Sequence, residues 1–232
     1  MQLTEVSLTG VRSAVITLRS PDAAMRITLF PMVHLGSPGF YRAVAARLAE
    51  SDLIVAEGVA GTSVTIRALT LIWRLPARNR RLGLTVNDID YGSLDVPVIW
   101  PDLTAGQFKK GMRSVPLLRR LEIWCLIPPV ALSAALLGTR RTFSRYLDTD
   151  DLPAYGDDAF AEAFPELSRL VLDDRDQLLV DSLESIHRTR QHDDIDVAVV
   201  YGARHMRAVT REMHRRHGYR PRTAEWLTVF DF

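Results

Sequence analysis

The sequence predicts an α/β fold: a mixed, mainly parallel sheet flanked by helices, with a helical insertion or cap. Two observations point to it. Three short, largely apolar runs, at residues 27–33, 53–56 and 197–204, have the length and composition of strands buried on both faces. The first two are separated by a stretch with helix-start signals and an apolar stripe, the strand–helix–strand order of parallel sheets. An ionisable residue follows each run: His34, Glu57 and His205. In open α/β sheets ligands bind beyond the carboxyl ends of the strands, so two imidazoles and a carboxylate can meet there.

Each element has its own warrant. Residues 15–18 and 26–33 read as strands joined through the turn-forming Ser20-Pro21-Asp22, an antiparallel start. Ser37-Pro38 opens a helix, with serine as N-cap and proline at the first helical position; Val44, Ala45 and Leu48 form its apolar stripe. The helix ends near Ser51-Asp52 and the strand at 53–56 follows, so a right-handed unit with neighbouring strand tips is expected, His34 beside Glu57. Residues 62–75 and 104–121 look helical, and 87–101 look like loop and short extended structure. A helix across 170–189 carries Leu172, Leu179, Leu183 and Ile186. A strand at 195–200 and a basic helix to His217 come next, with Gly218 as the stop signal. The alternating stretch 225–232 is expected to end the sheet at an edge. Residues 1–60 and 160–232 thus form the α/β core, and 61–159 the insertion or cap.

One segment of the insertion stands apart. Residues 121–138 read LEIWCLIPPVALSAALLG between Arg119-Arg120 and Arg140-Arg141, with Glu122 as the only charge. A spanning helix takes about 20 apolar residues, and Pro128-Pro129 is expected to break a helix at its midpoint. Three readings stand open: a buried core or homodimer-interface segment, a peripheral membrane contact, and a span. Length and the proline pair weigh for the first.

Composition narrows the function classes. A net charge of +1 argues against a strong whole-molecule field, so nucleic acid is not an expected partner. Cys125 is the only cysteine, which rules out an internal disulfide. The first residues lack a basic stretch followed by an apolar one, so a cytoplasmic location is expected, with membrane association open.

Among single residues, Glu57 is the most demanding, because a carboxylate ending an apolar run needs a metal, an arginine or a histidinium beside it. Gly202 lets the backbone approach a ligand ahead of His205. Asp173, Asp174 and Asp176 fit a helix N-terminus, whereas Arg175 among them fits a clamp on a carbonyl or carboxylate. On the residues alone, Asp102 reads as a turn or N-cap. His187, His192, His214 and His217, in arginine-rich surroundings, read as a solvated face.

Taken together, Pro31-Met-Val-His34-Leu-Gly36 with Phe40-Tyr41, then Asp52-Leu-Ile-Val-Ala-Glu57-Gly58, resemble the opening of the TraB/PrgY/Tiki group, also linked with GumN proteins. That group pairs a Gly-x-x-His motif with a glutamate at the next strand end. Asp102-Leu103-Thr104 resembles its aspartate segment, Arg175-Asp176 its arginine-bearing helix, Gly202-Ala-Arg-His205 its second Gly-x-x-His, and Gly218-Tyr219 with Trp226 its closing strand. Pro31 stands where the first motif has glycine.

The resemblance implies a fold related to the erythromycin-esterase-like/ChaN-like group and supports hydrolysis. The leading expectation is a divalent-metal-dependent hydrolase of peptide or amide bonds, with His34, Glu57 and His205 around manganese, cobalt or zinc, Arg175 stabilising an oxyanion and Asp102 supporting a ligand histidine. A metal-independent, histidine-based hydrolase uses the same residues. The third expectation is a protein that binds and sequesters a peptide or small ligand at the membrane.

Overall fold

The computed structural model describes residues 1–58, 68–145, 147–150, 162 and 164–232. Its strands are β1 (Gln2–Val6), β2 (Gly10–Arg19), β3 (Arg26–Met32), β4 (Leu35–Gly36), β5 (Leu53–Ala56), β6 (Thr85–Val86), β7 (Val98–Ile99), β8 (Thr149–Asp150), β9 (Asp196–Gly202) and β10 (Arg220–Asp231). Its α-helices are α1 (Pro38–Leu48), α2 (Leu71–Arg74), α3 (Ala105–Ser114), α4 (Leu117–Leu137), α5 (Arg140–Ser144), α6 (Pro165–Ser168), α7 (Asp174–Arg190) and α8 (Met206–His217).

The main sheet is mixed. β7, β5, β9 and β3 lie side by side and parallel, and β3 then pairs antiparallel with β2. β10 covers one whole edge of β2, ending the sheet as expected, while the other edge of β2 is shared between β3 and β1, with β8 beyond β1. Helices cover both faces. On one face Leu179, Leu183, Met206, Val209 and Met213 of α7 and α8 pack against Ile27, Leu29, Val197 and Val199. On the other, Phe40, Tyr41, Val44 and Leu48 of α1 meet Phe30, Ile54, Ala198 and Val200.

The local signals at α1 and α8 hold. Ser37 accepts a hydrogen bond from the Phe40 amide and caps α1, and Gly218 stops α8 in the left-handed region at φ 68°. The expected adjacency of the first two apolar strands does not hold, because β9 lies between β3 and β5, in register with both. The reason lies in β9 itself. Val197 to Tyr201 are buried on both faces, which suits a central strand with a partner on each side.

The insertion is mostly helical but also lends β7 to the sheet beside β5 and β8 beside β1, while β6 pairs with β4. Of the helix expected over 62–75, residues 62–67 lie outside the described residues. The single helix expected over 104–121 is two, α3 and α4. Thr104 and Gln107 form a capping box at the start of α3; Val115 is then extended (φ −67°, ψ 128°) because the residue before Pro116 is disfavoured in helical geometry. The break expected at Pro128-Pro129 is absent, and α4 runs straight through both prolines. Ile123 and Ile127, one turn apart, pack on Phe108, Met112, Leu167 and Leu170, and that contact holds the helix where two amide donors are missing.

Candidate active site

Four elements end at the carboxyl edge of the parallel strands and deliver charge there. Glu57 is the first residue beyond β5, and its amide continues the ladder to the Val200 carbonyl at 2.9 Å. Asp102 follows β7 in the turn after Trp100-Pro101. Arg175 and Asp176 open α7, which follows a wider π-helical turn at Arg169–Asp173. His205 closes a short 3₁₀ turn between β9 and α8.

Arg175 joins two carboxylates. Its Nε donates to Asp102 Oδ1 at 2.8 Å and its Nη2 to Asp102 Oδ2 at 2.6 Å, a bidentate fork. The same Nη2 donates to Glu57 Oε1 at 2.8 Å. Asp102, fully buried at its side chain, also accepts from the amides of Gly58 (3.0 Å) and Leu103 (2.7 Å). Glu57 Oε2 accepts from the Gly202 amide at 2.7 Å, so both of its oxygens are engaged. The strand-end carboxylate thus finds the arginine its apolar setting demanded.

The electrostatics follow from this geometry. Burial pushes the Glu57 carboxyl up, but Arg175, His205, His34 and the Gly202 amide outweigh it and hold the pKa down to about 2. Burial opposes the Arg175 charge, and the hydrogen bonds and charges of Asp102 and Glu57 raise its pKa in spite of that. His34 retains exposed surface. The surrounding protein mass still disfavours its charged form; with Arg175 and His205 nearby it outweighs the pull of Glu57, and the His34 pKa falls below 6.5.

His205 is buried, and its Nδ1 lies 2.6 Å from Asp176 Oδ1. That contact leaves Nε2 for other chemistry. Gly202 separates the imidazole from the glutamate: a Cβ there would lie 3.3 Å from Glu57 Oε2 and 3.5 Å from His205 Cδ2. His34, between β3 and β4, stacks on Trp73 with ring centres 4.8 Å apart. Trp100 closes over Gly58, where a Cβ would sit 2.7 Å from its ring, and meets Tyr91 edge-on. Burial, with the charge of Glu57 adding to it, pushes the Tyr91 phenol up to about 12.

The structure therefore brings all five expected residues to one end of the sheet, though two take partners other than those expected. Asp102 supports Arg175, not a histidine. Arg175 is held by two carboxylates and is not a free clamp. The partner of His205 is Asp176, which sequence reasoning assigned to the helix dipole alone; its position next to Arg175 was the available signal. Trp73 was missed, as nothing local marks a tryptophan as a partner for His34. His187, expected in a solvated face, is buried: its Nδ1 lies 3.2 Å from the Tyr219 hydroxyl and its ring lies against that of His217, centres 3.7 Å apart at a 35° tilt, and His217 pairs with Glu184.

The charge arrangement around Glu57 disfavours a divalent ion. Each Glu57 oxygen accepts one hydrogen bond and keeps a second lone pair, but an ion bound there would stand beside the Arg175 guanidinium and meet like charge. Among the described residues no group of three or more His, Cys, Asp and Glu side chains is arranged to hold a metal. Comparison with protein-family models, curated proteins and solved structures gives no match.

Proposed function

We propose that the chain is a metal-independent, histidine-based hydrolase of peptide or amide bonds. One observation carries this reading: the Asp176–His205 dyad stands beside an ionised Glu57. A carboxylate on Nδ1 holds a neutral imidazole with Nε2 unprotonated and stabilises the imidazolium once it forms. In the scheme His205 Nε2 takes a proton from water as the water oxygen attacks the carbonyl carbon, and the carbonyl electron pair moves onto oxygen. Neutral His34 donates a hydrogen bond to that oxygen. When the tetrahedral species collapses, the C–N bond breaks and the leaving amine takes the proton from His205. Glu57, fixed by Arg175 and Gly202, adds negative charge near the imidazolium. The resemblance to the TraB/PrgY/Tiki pattern supports hydrolysis from a separate direction, and Trp73, Trp100 and Tyr91 offer apolar walls for a substrate.

A peptide-library cleavage screen on protein treated with chelator tests the reading. Cleavage is expected to persist after chelation and to fall about 10²–10⁴-fold in Asp176→Asn. Cleavage that returns only on adding manganese, cobalt or zinc would overturn it in favour of a metal-dependent site; peptide capture without turnover would point to a sequestering protein.

A further inference from the structure

We propose that the outward face of α4 docks on an anionic lipid bilayer, lying in the plane of the headgroups and not across the membrane. Leu118, Leu121, Cys125, Leu132 and Leu136 recur at helical spacing on the side opposite Ile123 and Ile127, and all five are exposed, Leu118 at 78% and Leu136 at 69%. Only 17% of the most apolar window of this helix is buried. Exposed leucines in such a row are costly in water and need a cover.

Three observations select the cover. The inner face of α4 is already packed on Phe108, Met112, Leu167 and Leu170, so crossing a bilayer would strip those contacts, whereas lying flat keeps them. Across residues 105–145 there are eight basic residues and one acid, Glu122, which pairs with Arg119. Lys109, Lys110, Arg113 and Arg119 are exposed towards one end of α4, and Arg141 and Arg145 towards the other. Cations at both ends of an apolar stripe match a surface of negative headgroups over an apolar interior. A second copy of the chain fits less well. Two-fold pairing of parallel helices would set each cationic end against itself, and antiparallel pairing would set one cationic end against the other.

The sole cysteine lies on the stripe and reports directly. Protein carrying an environment-sensitive nitrobenzoxadiazole label on Cys125 is mixed with vesicles of phosphatidylglycerol and phosphatidylcholine, or of phosphatidylcholine alone, and then floated through a density gradient. Flotation with the anionic vesicles, a blue shift of the label and loss of both in high salt are expected. Binding is expected to fall about tenfold or more in Lys109→Glu/Lys110→Glu and in Leu132→Glu/Leu136→Glu. The lysine pair is exposed and separately tests the charge requirement if the leucine variant does not fold. Failure of folded wild-type protein to float overturns the proposal, as does equal flotation with neutral vesicles. So does sedimentation showing a dimer that the leucine substitutions dissociate, without lipid binding, since the face would then belong to a second copy.

Discussion

Arg175 carries more of the site than any other residue, because one guanidinium satisfies three carboxylate oxygens on two segments of chain. An ammonium has no planar fork, so Arg175→Lys is expected to lose at least one of these contacts and to lower stability by about 2–4 kcal/mol, read from the urea midpoint. A change under about 0.5 kcal/mol would mean that solvent replaces the contact at no cost. Much of this residue-level chemistry was legible. Glu57 ends an apolar run and cannot stay ionised alone, and Arg175 is the one cation in a run of acids. The pairing was not legible. Adjacent residues on a helix diverge by about 100°, so Arg175 and Asp176 serve different partners, and no sequence rule says which one faces His205.

At the level of elements, signals that depend on a few neighbouring residues held: Ser37-Pro38 and Gly218. Signals that tertiary contacts can override did not. The prolines of α4 are the clearest case, since the intrinsic penalty argued for a break and packing through Ile123 and Ile127 prevailed. The penalty remains within the folded helix. Pro128→Ala/Pro129→Ala is accordingly expected to raise stability by about 1–3 kcal/mol and to increase the thermal midpoint. An unchanged midpoint would show that the backbone around the pair has already relaxed.

Across the whole molecule, the charge cluster ties β5, the turn after β7, α7 and β9 into one unit, which makes folding sensitive to acid. Glu57 has a folded pKa of about 2 against an ordinary 4.5, so the unfolded chain binds its proton first. Its stabilisation is complete above 4.5 and is lost as pH falls towards 2. His34, crowded by the surrounding protein, and His187, lowered mainly by burial, act in the same direction: below pH 6.5 the unfolded chain is protonated ahead of the folded one. Asp196, raised by burial, opposes them. Urea midpoints measured against pH are expected to fall from pH 6.5 downward, and Glu57→Gln to flatten the part between 4.5 and 2; an unaltered slope in that variant would remove Glu57 from the acid response. By itself the sequence determined the central strands β3, β5 and β9, the flanking helices α1, α7 and α8, and that ionisable groups follow those strands, because periodicity, composition and caps act over a few residues. Only the tertiary structure decided that β9 separates β3 from β5, that Asp102 takes Arg175 and that Asp176 takes His205. Strand order and helix rotation are set by packing the whole core, and an ion pair forms only where that packing brings two charges within about 3 Å.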